Sequence, residues 1–451
     1  MYVYRVLIFA LLSAVAPLGF AQVPAADRAP DFIPLGAYVS WERCVANAKV
    51  SEIDLWEDVG TRLDALQANH VNLLWVTNMS EPALPRLIVE CEKRGLRLLP
   101  NIDAVEARVD WRWAGGTEYY DKLLPRLVAA AGDSKTLVGW VLSDEPTVEQ
   151  LPRLEILREK FREHDPNRFS TAVTMWPQTP QVPVQTKLPV VCVDLYPFFG
   201  PKDPNGPHTD NASKHYYRNN TAKMLDAIGE GPAVGWVMGQ CFSDIWGPRE
   251  YNAEGHLIGL PGAYLHWRAP TLAEMRWQVW EAFRNGAKGY ISYTLAPEAP
   301  NPETATLPPK DVKWKEVLAK EATDLGPNAL TNPDGSTTPQ LEELGKVYAQ
   351  LAPHTELLLR LKRSEEAFVE VTDGPASVQS FVDPESGGRY VIVVNDDLKV
   401  TQELTLGFGT VTAVSALAGA ELANLKTTTG NGPRTAMVSL VAGDGILLTI
   451  Q

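Results

Sequence analysis

Between residues 32 and 297 the chain alternates between short apolar runs and longer segments whose apolar residues recur at helical spacing. Helical patterning is clear in "LPRLEILREKFREH" at 151–164, which follows the capping-box pair Thr147 and Gln150. Gly95 and Gly286 stand where two of the helices are expected to end. Eight apolar runs predict buried strands, at 32–41, 71–78, 96–103, 137–145, 169–177, 190–198, 233–242 and 289–297.

Eight strand–helix units in one stretch predict a (β/α)8 TIM barrel, which we expect to occupy residues 30–364. A helix over 339–363 is expected to close it. The alternative is an open, doubly wound parallel sheet. That fold usually carries a glycine-rich phosphate-binding loop after an early strand, and the sequence contains none.

The pattern of apolar and polar residues changes near residue 366. Short β-branched runs separated by turn residues, such as "RYVIVVN" at 389–395 and "ILLTI" at 446–450, are typical of a small all-β domain. We therefore predict a β-sandwich domain over residues 365–451.

The first residues, "MYVYRVLIFALLSAVAPLGFAQ", combine one arginine, an apolar stretch and small residues. This order predicts a secretory signal peptide at 1–21, cleaved after Ala21, and hence a periplasmic or secreted protein. A membrane anchor is the alternative, but the apolar stretch is short for a span and no second one follows it. We expect no membrane association after cleavage.

Charge and composition narrow the choice of partners. The formal net charge is −14, and it becomes −15 when Arg5 leaves with the signal peptide. An acidic protein is poorly suited to nucleic acid or anionic lipid, whereas carbohydrate ligands remain open. The seven histidines form no HxH or HExxH pattern, so neither a metal nor another cofactor is expected. No sequence feature fixes an oligomeric state.

The four cysteines, Cys44, Cys91, Cys192 and Cys241, are widely spaced and match no zinc pattern. Cys192 and Cys241 fall in apolar runs, where buried free thiols are expected. A disulfide in an oxidising compartment is the alternative, although the spacing does not say which cysteines would pair.

The fourth strand, followed by "DEPT" at 144–147, places acids at the barrel end where active sites lie. Val138, Trp140 and Leu142 are bulky and suit the face under the helices. Alternation along the strand then puts Glu145 on the inner face at the mouth and Asp144 on the other face.

The sixth strand repeats this arrangement, with Asp194 and Tyr196 on its inner face. The seventh ends at Gln240, where the alternation can be read either way. Single acids at such positions are often helix caps or surface ion pairs, but acids ending several strands together favour a catalytic pocket. Converging carboxyl groups also raise one another's pKa, as a general acid requires.

A loop of about 30 residues follows the seventh strand and carries several aromatic residues, which is typical of a lid or binding loop. We expect residues 243–270 to roof the mouth, although some of these aromatic residues would only pack the loop onto the barrel. The candidate catalytic residues are Glu145, Asp194, Asp244 and Asp144. The candidate substrate-binding residues are Trp41, Glu42, Asp103, Tyr196, Gln240, Trp246, Trp267 and Tyr293.

Three motifs resemble the (β/α)8 glycoside hydrolases related to clan A. "GWVLSDEPT" at 139–147 resembles the end of strand 4 in that clan, and "VDLYPF" at 193–198 is similar to its Asp-x-Tyr-Pro motif on strand 6. "RAPTLAEMRWQVWEAFRNGAKGYISYT" at 268–294 resembles the crossover into strand 8 of bacterial exported barrels. The closing "VAGDGILLTIQ" resembles the end of β domains appended to such barrels, which are more often structural than sugar-binding.

The resemblance implies that Glu145 is the acid/base residue. The chain departs from the pattern of the clan at two positions. The clan usually has Asn where this chain has Asp144, and its nucleophile is a Glu at the end of strand 7, where this chain has Gln240. The expected function is glycoside hydrolysis of an oligo- or polysaccharide by two carboxyl groups, Glu145 with Asp194 or Asp244. A non-catalytic carbohydrate-binding barrel that has lost the strand 7 nucleophile is the alternative.

Overall fold

The computed structural model of the chain describes residues 24–101, 116–201, 203–204, 206–229, 232–251, 257–298, 329–408, 414–419, 426–427 and 434–451. The predicted signal peptide at 1–21 and the candidate Asp103 lie outside these residues. Within the described part of the chain, no helix is both long enough and apolar enough to cross a membrane.

Among the described residues, twelve strands precede residue 294. They are β1 (Leu35–Ser40), β2 (Leu73–Thr77), β3 (Arg97–Pro100), β4 (Gly139–Asp144), β5 (Phe169–Thr174), β6 (Val190–Leu195), β7 (Val234–Gln240), β8 (Asp244–Trp246), β9 (Arg249–Tyr251), β10 (Leu257–Gly259), β11 (Tyr264–Trp267) and β12 (Tyr290–Tyr293). Eight of them form one parallel sheet in the order β3-β2-β1-β12-β7-β6-β5-β4. A parallel bridge between Leu98 and Leu137 joins its two ends. The predicted barrel is thereby confirmed, and the open doubly wound sheet is excluded.

Helices cover the outside of the sheet. They are α1 (Trp41–Val50), α2 (Leu55–Ala68), α3 (Leu84–Glu92), α4 (Tyr120–Ala131), α5 (Leu151–His164), α6 (Val182–Gln185), α7 (Asp210–Ile228), α8 (Leu272–Arg284), α9 (Pro339–Leu351) and α10 (Thr355–Arg360). The Thr147–Gln150 capping box is present before α5, and Gly95 and Gly286 have the positive φ expected after helix ends. The helix predicted over 339–363 is interrupted after Leu351, because Pro353 cannot donate a backbone hydrogen bond.

Two apolar layers show how the strand alternation works. Trp75, Val141 and Cys192 belong to a cluster inside the barrel, whereas Trp140 and Leu142 belong to the layer between strands and helices. The predicted outward positions of Trp140 and Leu142 in β4 are therefore confirmed, whereas Val138, predicted on the same face, packs against the inner cluster. Filling the interior with large side chains leaves room for a site only at the end of the barrel.

The remaining strands are β13 (Lys362–Arg363), β14 (Glu370–Asp373), β15 (Ala376–Val382), β16 (Arg389–Asn395), β17 (Gln402–Phe408), β18 (Val414–Gly419), β19 (Lys426–Thr427), β20 (Arg434–Leu440) and β21 (Gly445–Ile450). They form two antiparallel sheets, in the orders β13-β15-β16-β21-β18 and β14-β17-β20-β19. Val393, Leu406 and Ile446 lie in the apolar core that the two sheets share. The predicted β-sandwich is confirmed.

The second face of the five-stranded sheet packs on α8. Ile392 and Leu447 belong to the same apolar cluster as Trp277 and Trp280 of that helix. The Trp280 indole also donates a hydrogen bond to Asp444, at 2.9 Å. Helix α8 is therefore covered on one side by the barrel and on the other by the β domain.

Candidate active site

A pocket with a volume of about 270 Å³ opens where the barrel strands end. Its lining combines five acidic residues, one arginine and a group of aromatic residues. The lining residues are Tyr38, Arg43, Asp144, Glu145, Asp194, Tyr196, Met238, Phe242, Ser243, Asp244, Trp267, Tyr293 and Glu298. The carboxyl ends of the strands are where barrel enzymes carry their chemistry.

The end of β4 delivers two consecutive carboxylates to this pocket. The pairing of β4 with β5 shifts by one residue at Leu142, as in a β-bulge. Beyond the shift Asp144 pairs with Val173, whose side chain lies inside the barrel. Asp144 therefore shares the inner face. This corrects the expectation, based on strict alternation, that Asp144 would lie on the opposite face from Glu145.

Glu145 reaches the pocket by a different route. Its φ angle is +46°, in the left-handed region that few residues other than glycine adopt, and its backbone N–H donates to the Val173 carbonyl at 3.0 Å. The chain thus turns sharply directly after the strand, so the residue that follows Asp144 also lines the pocket. Unusual backbone of this kind is characteristic of functional sites.

Asp194, near the end of β6, is the most buried of these acids, with 8% of its surface exposed. Burial raises the pKa of Asp194 well above its usual range, and the charge of Glu145 and a hydrogen bond between the two carboxyl groups raise it further. Its Oδ1 atom is buried and has no hydrogen-bond partner among the described residues. Asp194 therefore keeps a proton at a pH where an exposed carboxyl group has lost it.

Arg43 supplies the positive charge of the pocket. It lies on α1, and its guanidinium donates to the Tyr293 hydroxyl at 3.4 Å and to the Ala296 carbonyl at 3.5 Å. Burial acts to lower the pKa of Arg43, but Tyr293, Glu298, Tyr38 and, least of the four, Asp244 hold it above its ordinary value. Asp244 and Glu298 thus lie within electrostatic range of the Arg43 guanidinium.

β8 and β11 pair antiparallel above the mouth, and we call them the roof hairpin. Asp244 of β8 pairs with Trp267 of β11, and both line the pocket together with Ser243. The Trp246 indole donates to Asp244 Oδ2 at 3.0 Å. Of the predicted roof at 243–270, residues 252–256 lie outside the described residues.

Four aromatic residues form a continuous apolar side of the pocket. Tyr196 and Phe242 each lie 5.4 Å from Trp267 between ring centroids, and Tyr293 lies 5.0 Å from Phe242. Most of these contacts are edge to face, which is a favoured geometry for aromatic pairs. The apolar side stands beside the acidic one, an arrangement suited to a ligand that has both apolar faces and hydroxyl groups.

Gln240 does not line the pocket, which corrects its place among the candidate binding residues. The side chain is fully buried between the end of β7 and the segment after β6. Its Oε1 accepts from the Phe198 N–H at 2.9 Å, while its Nε2 donates to the Arg268 carbonyl at 2.8 Å. Gln240 thus holds two loops against the barrel.

Trp41 and Glu42 also lie away from the pocket. Because α1 begins at Trp41, directly after β1, its first turn carries Trp41 into the apolar layer beside Trp56, with ring centroids 5.5 Å apart. Glu42 is exposed, and its Oε2 accepts from Asn78 Nδ2 at 3.5 Å. The residue of this turn that reaches the pocket is Arg43.

Sequence reasoning missed several of the lining residues, among them Tyr38, Arg43 and Glu298. Tyr38 lies on the inner face of β1, which its pairing with Tyr293 of β12 places at the mouth. Glu298 lies five residues beyond β12, in the segment "APEAP" at 296–300. An acid at a strand end, the pattern that predicts the acids of β4 and β6, also marks Glu298.

None of the four cysteines is among the residues that line the pocket. All four cysteines are buried free thiols. Among the residues that the structure describes, no group of three or more His, Cys, Asp and Glu side chains is arranged to hold a metal ion.

No protein-family model matches the chain, and no characterised protein matches it in sequence. Solved structures that resemble it include Eubacterium rectale Amy13B, with 10% identity, a TM-score of 0.49 and coverage of 87% of this chain and 91% of that one. The family 51 α-L-arabinofuranosidase AbfB of Bifidobacterium longum has 10% identity, a TM-score of 0.46 and coverage of 94% and 98%. A glycoside hydrolase family 5 mannosidase of Rhizomucor miehei has 11% identity, a TM-score of 0.44 and coverage of 72% and 95%. These likenesses are too distant to say what the pocket does.

Proposed function

We propose that the protein is a glycoside hydrolase that cleaves an oligo- or polysaccharide with two carboxyl groups acting from opposite sides of the pocket. One observation carries the proposal: the buried Asp194 carboxyl group has a raised pKa and shares a hydrogen bond with Glu145, while Asp244 lies within electrostatic range of the Arg43 guanidinium. Two carboxyl environments that differ in this way supply an acid and a base at the same pH. The motif resemblance to clan A supports the same reaction.

Glu145 is the group that gives the proton to the glycosidic oxygen. It is exposed toward the mouth, whereas Asp194 behind it is buried. Because the two carboxyl groups share a hydrogen bond, a proton held by Asp194 is available to the substrate through Glu145. General acid catalysis of this kind contributes roughly 10²- to 10⁴-fold to the rate.

Asp244 is the carboxylate that acts from the other side, as nucleophile or as base. The two carboxyl groups of a retaining enzyme lie about 5–5.5 Å apart, and those of an inverting enzyme about 6.5–9.5 Å apart. Glu145 and Asp194 share a hydrogen bond, so their carboxyl groups are closer than either spacing. This contact favours Asp244 over Asp194 as the partner of Glu145. Glu298 is the competing residue, because it also lies beside Arg43.

Four matched variants test these roles: Glu145→Gln, Asp244→Asn, Glu298→Gln and the exposed control Glu163→Gln. We expect the first two to lose roughly 10²-fold or more in kcat on aryl glycosides while their thermal unfolding is unchanged. Glu298→Gln and Glu163→Gln should retain activity. Near wild-type turnover in Glu145→Gln would overturn the acid assignment, and loss of activity in Glu298→Gln alone would replace Asp244 by Glu298.

The stereochemistry follows from the same variants. Sodium azide added to Asp244→Asn restores activity if Asp244 is the nucleophile or the base, and NMR of the azide product reports which face it attacks. The first-formed anomer of the wild-type product distinguishes retention from inversion. A panel of aryl glycosides and polysaccharides, with new reducing ends measured, identifies the sugar.

A second function, non-catalytic carbohydrate binding, is favoured by one observation. Gln240 occupies the position where the clan has its nucleophile, and its amide group is used entirely in holding backbone segments. A binding barrel of this kind retains polysaccharide in affinity electrophoresis without producing reducing ends. This second function is ruled out if the wild-type protein produces reducing ends and Glu145→Gln does not.

We also propose that residues 1–21 are removed during export and that the mature protein acts in the periplasm or outside the cell. The support is the sequence pattern of the first 22 residues. Mass spectrometry of the natively expressed protein should give an N-terminus at Gln22. An intact Met1 in the cytoplasmic fraction would contradict the proposal.

A further inference from the structure

Trp246 is held in an unusual way for an exposed side chain. With 43% of its surface exposed, it is not fixed by burial. Its ring instead stacks on the His266 imidazole, with centroids 3.7 Å apart and planes 25° apart, while its N–H donates to Asp244 Oδ2 at 3.0 Å. The indole therefore connects a buried imidazole to the Asp244 carboxylate.

The His266 ring is fixed in turn by Asp203. The His266 Nδ1 atom contacts Asp203 Oδ2, and both residues are buried. The Gly200 N–H donates to the His266 carbonyl at 2.9 Å, and the Asp203 N–H donates to the Gly200 carbonyl at 3.1 Å. The segment after β6 thus holds His266 through both its backbone and its side chain.

Two local features of the chain make this contact possible. A Cβ atom at residue 200 would lie 2.0 Å from the Leu265 carbonyl oxygen, so only glycine lets the segment come this close to the roof hairpin. The pairing of β8 with β11 shifts between Leu265 and Trp267, so His266 is an extra residue. The shift places His266 and Trp267 side by side, with centroids 3.9 Å apart.

We infer that Asp203, His266 and Trp246 form a chain of contacts that positions the Asp244 carboxylate for its reaction, which makes Trp246 and His266 positioning residues. The inference rests on the proposed function, because it takes Asp244 as the nucleophile or base. An N–H donor stabilises the ionised form of a carboxylate and limits its rotation. Since the indole is itself clamped by the imidazole, one rotamer of Asp244 is selected before substrate arrives.

The competing explanation is that the exposed face of Trp246 is a platform for a sugar ring and nothing more. The two explanations predict changes in different kinetic parameters, KM for the first and kcat for the second. A platform contributes binding only, so its loss raises KM for long substrates. A positioning residue acts in the transition state, so its loss lowers kcat on even the shortest substrate and changes the pH dependence.

The test uses Trp246→Phe, which keeps an aromatic ring against His266 but removes the N–H donor. Trp176→Phe is the matched control, because Trp176 is 49% exposed and does not line the pocket. On an aryl monosaccharide we expect kcat to fall about tenfold and the acid limb of kcat/KM to move up by about one pH unit in Trp246→Phe. Asp203→Asn should shift both quantities in the same direction by less, and Trp176→Phe should shift neither.

A ¹³C-carboxyl NMR titration of Asp244 in the full chain gives a second readout that does not need turnover. The carboxyl group should titrate at higher pH in Trp246→Phe than in the wild type. Unchanged titration, or a KM effect on long glycans with kcat and the acid limb unaltered, would overturn the inference. If the wild type hydrolyses no glycoside, the proposed function fails, and the titration alone then decides whether Trp246 acts on Asp244.

Discussion

Replacing Asp444 with Asn removes a buried charge from the contact between α8 and the β domain. Asp444 is 1% exposed, and its Oδ1 atom accepts the Trp280 and Gly445 N–H groups, each at 2.9 Å. Burial raises the pKa of Asp444 to about 6. An asparagine at this position keeps one oxygen for both donors, so the substitution changes the charge and little else.

The pH dependence follows from where the proton is held. In the unfolded chain an aspartate ionises near pH 3.9, about two units below the folded value, so between about pH 4 and 6 the native state binds a proton that the unfolded state has lost. The free energy of unfolding therefore falls as pH rises through this window and stays lower above it. At about 1.4 kcal/mol per unit, the full effect is about 3 kcal/mol at most.

Asp444→Asn does not ionise, and we therefore expect its free energy of unfolding at pH 8 to exceed that of the wild type by about 1–3 kcal/mol. At pH 4 the two proteins should be equally stable. Urea unfolding of both proteins at pH 4, 6 and 8 measures the difference, with the exposed Asp373→Asn as control. A gain that is equal at all three values, or a loss at pH 8, would refute the reasoning.

Three further predictions concern the pocket and its surroundings. Asp194→Asn should move the basic limb of the kcat/KM profile to lower pH, because the raised pKa of Asp194 holds the proton that Glu145 passes on; an unmoved limb would count against the pair. Gln240→Glu should lower the unfolding temperature without raising turnover, because a carboxylate cannot donate to the carbonyl groups that Gln240 holds; increased turnover would contradict this. Gly200→Ala should lower both kcat and the unfolding temperature, because its methyl group meets the Leu265 carbonyl; a fully active variant would show that the segment can move away.

The barrel and the sandwich could be predicted from the sequence because both depend on repeated patterns. Eight apolar runs separated by helical segments specify the strand count, and alternation along β6 places Asp194 and Tyr196 correctly, since no irregularity interrupts that strand. The small β domain is similarly periodic. Patterns of this length survive small errors at the ends of individual elements.

The pocket could be predicted only in part, because single residues decide it. The extra residue in β4 reverses the alternation just before Asp144, and no apolar pattern marks an inserted residue. Gln240 stands at the strand end where the sequence predicts a pocket residue. Its side chain is instead held away from the pocket by hydrogen bonds to the backbone of Phe198 and Arg268. Arg43 lies on α1, a helix that the sequence pattern does not predict and that begins at Trp41, the last residue of the predicted first strand; its first turn carries Arg43 to the pocket and Trp41 away from it.

The position of α8 has a consequence for the order in which the molecule can be completed. Trp277 and Trp280 are fully buried only when β16 and β21 cover them, and β21, at Gly445–Ile450, is the last strand in the described chain. Because β21 lies between β16 and β18, the sheet that covers α8 cannot assemble until this segment has been synthesised. A growing chain that has not yet reached β21 thus carries a finished barrel sequence with an exposed tryptophan helix, a state that chaperones bind and proteases cleave. Burial of the α8 tryptophans therefore depends on a segment that lies more than 200 residues downstream of the pocket residues Asp144 and Asp244.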